Sequence, residues 1–236
     1  MRATIKQKTI IAENTLDVVF DLGSQEIKFL PGQFFFLKLI RPPFNDGRGA
    51  ERHFSFINSP DQKNIIEMAT RLTGSAFKKS LEKLPLKTAV EIGPIAGEFL
   101  LPADSNQPLV FIAGGIGITP FISMLRFIAA QKLNHEITLL YFNRTQASTA
   151  FYQELLKLKR KIAKLEIVFS MNEDAAWKGE ASPLSPALIK KYLPNYLAQK
   201  YFLAGPPAMV KSALQALRDL KIKKGNIQAE SFTGYK

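Results

Sequence analysis

VFIAGGIGITPFISML, Val110 to Leu125, carries no charged side chain, and how it is read decides the fold. Three structures could use such a run: the middle of a membrane helix, the centre of a soluble domain, or a turn built around a phosphate. A membrane helix needs about 20 mostly apolar residues with an unbroken backbone ladder. Here Gly114, Gly115, Gly117 and Pro120 crowd the middle and Arg126 closes the run. The better reading is a short strand, Leu109 to Ala113, then a glycine turn, then a helix with Pro120 in its first turn, where a missing N–H is tolerated. In such a unit glycine lets backbone approach a bulky anion, and the helix start offers free N–H groups and the positive end of its dipole. Glycine between strand and helix is also plain turn chemistry, so the run alone leaves both readings open.

The chain has 236 residues, of which 46% are hydrophobic, which suits one large or two ordinary domains with a packed core. Its first residues, MRATIKQKTIIAEN, contain basic groups but no apolar core of a signal peptide. The expectation is a cytoplasmic protein with no integral membrane segment. With no cysteine, disulfides, thiol catalysis and thiolate-ligated iron–sulfur or zinc sites are excluded from these residues. Two histidines, His53 and His135, are too few for a histidine-rich metal site or a convincing hydrolase triad, so no metal site is expected.

The net charge of +12 will attract acidic partners without identifying them. Nucleic acid is one candidate. Much of the excess lies in runs such as LKLKRKIAK, Leu156 to Lys164, where basic residues recur at the spacing of a solvated helix face. No zinc-finger spacing, basic zipper or aromatic RNA-binding signature accompanies them, so no nucleic-acid partner is expected.

Two rhythms divide the chain. Up to about Leu101 it gives short β-branched and aromatic runs, ATIKQKTIIA, DVVFDL, GQFFFLKLI, RHFSFINS, NIIEMATRL and AVEIGPI, separated by turn signals and interrupted by one helical stretch, SAFKKSLEKL. Such strands predict an antiparallel sandwich or barrel. After LPADSNQP, Leu101 to Pro108, apolar strands (PLVFIAG, EITLLYFN, LEIVFSM, KYFLAG, NIQAESF) alternate with amphipathic helices (FISMLRFIAAQ, STAFYQELLKLKRK, PALIKKYL, PAMVKSALQALRDL). That alternation predicts a parallel sheet covered by helices. The domains are expected at 1–102 and 103–236.

The glycine turn departs from the dinucleotide fingerprint, because Pro120 stands where G-x-G-x-x-G/A needs glycine or alanine, and Asn143 and Arg144 replace the ribose-binding carboxylate at the end of the second strand. A second turn, Gly205-Pro206-Pro207, follows another strand, and two such turns at strand ends can enclose one extended ligand. In the first half, Arg52-His53-Phe54-Ser55 offers a guanidinium, an aromatic face and a hydroxyl on one strand, although an ordinary barrel strand could read the same way.

In this order the motifs resemble the ferredoxin–NADP⁺ reductase superfamily over nearly the whole chain, especially its short bacterial members. The family's R-x-[YF]-[ST] motif is matched by Arg52 to Ser55, its second flavin segment by ATRLTGSAFKKSL, Ala69 to Leu81, and its domain-closing G-P-x-x-G-x-F by Gly93 to Phe99. Its nicotinamide-nucleotide signatures are matched by AGGIGITPFISML and AGPPAMV, and its aromatic end by ESFTGY, Glu230 to Tyr235.

The resemblance implies an N-terminal antiparallel Greek-key β-barrel that binds FAD, followed by a Rossmann-like parallel-sheet domain that binds NADPH or NADH. It assigns the flavin to Arg52, His53, Phe54, Ser55, Ala69, Thr70, Arg71, Gly74, Ser75, Ala76 and Phe77. Arg52 would pair with a phosphate, and backbone N–H groups near Ser75 would face the diphosphate. Phe54 replaces the family's usual tyrosine, so it can stack but cannot donate a hydroxyl hydrogen bond. Gly114, Gly115, Gly117, Thr119, Pro120 and Arg144 would hold the pyridine nucleotide, with Gly205, Pro206 and Met209 at its nicotinamide side; Met209 equally fits a core-facing helix position. Ser55 and Glu230 would serve the reactive flavin edge, and Phe232 or Tyr235 would cover the ring, though terminal aromatics also serve packing. The implied activity is an FAD-dependent NAD(P)H oxidoreductase that passes electrons to a separate acidic carrier such as a ferredoxin, flavodoxin or iron–sulfur protein. A reductase using flavin as substrate is the alternative.

Overall fold

The structure, a computed structural model, describes residues 1–232, so Tyr235 lies outside the described residues. The described chain divides into two compact units: Met1–Leu101 together with Thr119–Phe127, and Pro102–Ile118 together with residues 128–232.

In the first unit, strands β1 (Arg2–Ala12), β2 (Thr15–Asp21), β3 (Phe34–Leu39), β4 (Glu51–Ser55), β5 (Ile65–Arg71) and β6 (Ala89–Ala96) form a six-stranded sheet in the order β4-β3-β6-β1-β2-β5. All its pairings are antiparallel, and β6 enters between β3 and β1 as a Greek key requires. Phe35, Leu37 and Leu39 of β3 are buried one residue in two, and they meet Leu16, Val18 and Phe20 of β2 and Ile66 and Met68 of β5 in one core. Just beyond β4 the chain closes the barrel. Phe56 N–H donates to the Gln33 carbonyl at 3.1 Å and Ile57 N–H to the Glu67 carbonyl of β5 at 2.9 Å. Phe56, fully buried, stacks on Phe29 at 3.9 Å, and burying a ring of this size stabilises by roughly 1.5–3 kcal/mol.

Helix α1 (Ala76–Lys83) lies between β5 and β6 in the chain and buries Phe77 and Leu81, four residues apart on one face, in the same core. Its carboxyl end is capped from β1, where the Lys8 ammonium donates to the carbonyls of Glu82 at 2.7 Å and Leu84 at 2.6 Å.

The second unit holds a five-stranded parallel sheet in the order β11-β10-β7-β8-β9, from β7 (Leu109–Gly114), β8 (Ile137–Asn143), β9 (Leu165–Met171), β10 (Lys200–Gly205) and β11 (Ile227–Ser231). The sheet grows from β7 outward to β8 and β9, then crosses back to place β10 on the other side of β7. The strand order therefore reverses between β7 and β10, the switch point where open α/β sheets bind ligands beyond the carboxyl ends of their strands. Every residue of β7 is buried, which explains its unbroken apolar run. Helices α3 (Tyr152–Lys161), α4 (Pro186–Tyr192) and α5 (Pro207–Asp219) complete the unit, and α4 and α5 pack Ile189, Ala213 and Leu217 against Val110, Ile112 and Leu203.

Helix α2 (Thr119–Gln131) is the departure from the amphipathic pattern. Its residues from Thr119 to Leu125 are all buried, as an all-round apolar helix must be. Division of the sequence near residue 103 assigns this helix to the second half, whereas its first part, Thr119–Phe127, makes its contacts within the first unit. There Ser123 Oγ donates to the Asn58 carbonyl at 2.9 Å, Arg126 donates to the Ile57 carbonyl at 3.0 Å and pairs with Glu67 at 2.6 Å, and Phe121 meets Phe99 edge-on. The long polar connection after β9 is pinned by Glu180, whose buried carboxylate accepts from Lys191 at 2.7 Å and Tyr192 at 2.9 Å. Among the described residues no helix is long and apolar enough to cross a membrane.

His135, just before β8, is 2% exposed and its Nδ1 lacks a hydrogen-bond partner. Burial pushes its pKa below the ordinary value of 6.5, with Asp104 pulling weakly the other way. The unfolded chain therefore takes up this proton first, and the stability His135 allows at neutral pH is lost as pH falls through 6.5 toward the folded value. Thermal melts from pH 7.5 to 5.5 should show that decline in the wild type and a shallower one in His135→Phe; parallel curves would remove His135 as the source.

Candidate functional site

The first unit gathers its candidate residues around the start of α1. Alternation along β4 directs Arg52 and Phe54 to one side and His53 to the other. Arg52 lies over the Phe77 ring at 5.4 Å and Phe54 approaches the same ring at 5.8 Å. His53 instead sits with Phe34 at 5.3 Å and Phe36 at 6.0 Å, so its ring is not part of that group. Ser55 is buried opposite Phe34. Ala69 and Thr70 are buried at the end of β5, Arg71 follows them half-buried, and its guanidinium reaches the Glu13 carbonyl at 3.0 Å. Gly74 turns the chain at φ 76°, and Ser75 caps α1 by accepting from Lys78 N–H at 3.4 Å.

Lys78 is the residue that motif reading missed. Its ammonium donates to Thr73 Oγ1 at 3.2 Å, and burial, then repulsion from Arg52 and Arg71, pushes its pKa down to about 8. The sequence did carry a signal. The first turn of α1 has no acidic residue and holds Lys78, against the helix dipole, which makes sense where an anion binds. Three cations converging on one helix start fit the diphosphate of a dinucleotide such as FAD.

The second unit presents the switch point. After β7 the chain makes one 3₁₀ turn, Gly115–Ile118, before α2, with Gly115 at φ 53°. Tyr141 of β8 holds that turn by donating from its hydroxyl to the Gly115 carbonyl at 2.9 Å. Gly114, Gly117, Thr119 and Pro120 are buried, leaving Gly115 as the more open member of the turn. A Cβ on Gly117 would stand 2.6 Å from Gly205 Cα and closer still to the Ala204 carbonyl oxygen; a Cβ on Gly205 would stand 3.2 Å from Gly114 N. The ends of β7 and β10 thus meet backbone to backbone. Pro206 and Met209 close on Gly114 at the start of α5, and Met209 also packs against the core.

Glu230 pairs in register with Ala204, and Phe232 N–H donates to the Gly205 carbonyl at 2.9 Å, so the final strand delivers both to the end of β10. Glu230 Oε2 is buried without a hydrogen-bond partner, and burial raises its pKa to about 7. Asn143, at the end of β8, also buries both carboxamide atoms without a partner. Arg144 is exposed, its Nε 3.8 Å from Glu173 Oε1.

Two sequence families match the chain: the oxidoreductase FAD-binding domain over residues 2–100 and the oxidoreductase NAD-binding domain over residues 111–215. The chain belongs to the ferredoxin–NADP⁺ reductase superfamily. Its first half is thus of a domain type that binds FAD and its second of a type that binds a nicotinamide dinucleotide. Among curated relatives, Flavohemoprotein B of Dictyostelium discoideum is 22% identical over 251 residues, covering 97% of this chain and 57% of the relative. The anthranilate 1,2-dioxygenase electron transfer component of Acinetobacter baylyi is 28% identical over 231 residues, covering 94% of this chain and 64% of the relative. The chain therefore spans about three fifths of the length of these relatives. The crystal structure of the Amycolatopsis cytochrome P450 reductase GcoB superposes with a TM-score of 0.84 at 24% identity, covering all of this chain and 71% of that one, a likeness of fold.

The contact between strand ends gives a direct test. Gly117→Ala should lower stability by about 2 kcal/mol or more, because backbone rather than a flexible side chain blocks the added methyl. Gly225→Ala, which meets nothing within 4 Å, should leave the melting temperature within about a degree or two. Equal melts for the two variants would mean that the β7 and β10 ends are not in this contact.

Proposed function

We propose that the chain takes electrons from NADPH or NADH through FAD and delivers them to a separate, acidic redox protein of the ferredoxin, flavodoxin or iron–sulfur type. The carrying observation is the seat of Arg52, Arg71 and Lys78 around the first turn of α1. In this reading residues 1–102 form the FAD domain and 103–236 the NAD(P) domain. FAD, when bound, accepts a hydride from the nicotinamide and releases electrons one or two at a time. The protein's work is to hold and shield.

Arg52, braced over Phe77, presents its fork to a flavin phosphate. Phe54 offers a ring face, and Ser55 a hydroxyl, to the flavin ring system. Backbone around Gly114, Gly115 and Gly205 would admit the pyridine nucleotide at the switch point, and Phe232, tied to Gly205, would shield the ring that the nicotinamide must reach. Glu230 holds a proton for the hydride path. With no cysteine among the 236 residues, no thiolate-ligated cluster within them receives the electrons, so such an acceptor lies outside these residues. A net charge of +12 draws such an acidic carrier at long range. A cytoplasmic setting goes with this reading, because its reductant is an intracellular metabolite.

Coenzyme choice turns on Arg144. Its guanidinium suits a ribose 2′-phosphate, and Glu173 at 3.8 Å opposes that charge, so the preference for NADPH is weak. Arg144→Ala should lower the ratio of kcat/KM for NADPH over NADH by about fivefold, and an unchanged ratio would remove Arg144 as the discriminator.

The cofactor assignment is tested by acid extraction and chromatography of the purified yellow protein: FAD is expected, and FMN alone or no flavin after reconstitution would overturn it. Arg52→Ala should weaken FAD binding by about 1.5–3 kcal/mol through loss of a charge-assisted contact. The Glu230 proton is tested in stopped-flow. With a pKa of about 7, the carboxyl is protonated below that pH, so flavin reduction should slow as pH rises through it, and Glu230→Gln should flatten the profile. The same inflection in the variant would assign it to another group.

A further inference from the structure

We infer that Asp46 is a resident counter-ion at the flavin diphosphate seat, and that the cofactor binds by displacing its carboxylate. The inference rests on the FAD reading of that seat.

The connection between β3 and β4 carries Asn45-Asp46-Gly47-Arg48-Gly49. Asp46 reaches across it to α1. Its Oδ2 accepts from Ala76 N–H, the first N–H of the helix, at 3.3 Å, while its Oδ1 accepts from Arg48 N–H at 3.1 Å. The Arg48 N–H, the Ala76 N–H and the charges of Arg52 and Arg48 together hold the carboxyl below its ordinary range, so it is an anion at neutral pH. The same loop also engages Arg52, whose Nη1 donates to the carbonyls of Arg48 at 3.0 Å, Gly49 at 3.2 Å and Glu51 at 2.5 Å.

One arm of the Arg52 fork and the first N–H of α1, both of which suit a flavin phosphate, are thus occupied by residues 46–51. A carboxylate and a phosphate cannot both take the Ala76 N–H, and two anions at one helix start repel each other. The diphosphate should win the exchange. It brings about two negative charges to a seat built from Arg52, Arg71 and Lys78, where Asp46 brings one, and the repulsion among those cations is what the extra charge relieves. The loop is able to yield, because Asp46 is exposed and a side chain at Gly47 or Gly49, at φ 75° and 74°, would meet nothing within 4 Å. FAD affinity is then the difference between two anions, and Asp46 sets how readily flavin leaves.

The test uses the full chain freed of flavin, titrated with FAD and, as a probe without phosphate, riboflavin, with binding read from flavin fluorescence. Asp46→Asn keeps the side-chain shape and its acceptor for Arg48 N–H but removes the charge. It should bind FAD about fivefold more tightly, the scale of one charge at a helix start, with riboflavin affinity unchanged. Unchanged or weaker FAD binding, or an equal gain for riboflavin, overturns the proposal, since Asp46 would then be supporting Arg52 or the helix rather than competing. A second measurement needs no variant. On adding FAD to the wild type, amides of Gly47 and Arg48 should exchange faster while Ala76 exchanges more slowly; slower exchange in the loop as well overturns it. A wild-type chain with no saturable FAD binding would defeat the FAD reading itself, a result distinct from tight wild-type binding that Asp46→Asn leaves unaltered.

Discussion

Everything in the second unit is arranged around one close approach, backbone against backbone at the carboxyl ends of β7 and β10. Gly117 lies against the Ala204 carbonyl and Gly205 against Gly114, with no room for a side chain between them. That approach is what lets the chain end a fully buried strand, turn once in 3₁₀ geometry and begin α2 without a gap. It also places two glycine turns side by side where the strand order reverses, the position at which open α/β sheets admit ligands. Pro120 fits because the first helical positions need no N–H partner, and Tyr141 fixes the turn from the neighbouring strand. A methyl group at Gly117 would act on the whole arrangement.

The first unit solves a different problem, since its candidate anion seat is made of charge. Arg52, Arg71 and Lys78 come from two strands and a helix, and bringing them together opposes folding unless an anion stands among them. The pKa of Lys78 records that conflict, with burial the larger cause and the two guanidinium groups adding to it. Anion binding and stability are therefore linked here: a ligand that neutralises the seat stabilises the folded unit by mass action, while an intramolecular carboxylate does part of the same work at the expense of ligand affinity.

Much of the fold could be read from the chain because its signals are local. Period-two alternation marked the barrel strands, unbroken apolar runs marked the parallel sheet, and glycine with proline marked the turns at Gly115 and Pro206. The departures arise where contacts are remote in sequence. The barrel closes through backbone bonds from Phe56 and Ile57 to Gln33 and Glu67, which leave no compositional trace. Helix α2 contributes Ser123 and Arg126 to the first unit because the partners of these polar groups, Asn58 and Glu67, lie far upstream. Asp46 and Ala76 are thirty positions apart and meet only in three dimensions. By contrast, Arg52 and Phe54 were legible as a pair because strand alternation alone puts them on one side, and the same rule sends the His53 ring away from them.

Glu230 shows how the two kinds of site differ. In a chain of net charge +12, long-range attraction should favour the ionised carboxylate, yet its pKa rises to about 7, with burial as the cause. Desolvation at the end of β11 outweighs the summed field of distant, water-screened cations, as the dielectric difference between interior and solvent requires. The proton on Glu230 is therefore governed by how dry its surroundings are rather than by the basic surface. Any group that seats against the ends of β10 and β11 and excludes water strengthens the carboxyl's hold on its proton, and any movement that admits water weakens it. Proton affinity at this position is coupled to occupancy of the crevice through solvation alone, and needs no charged partner to be so.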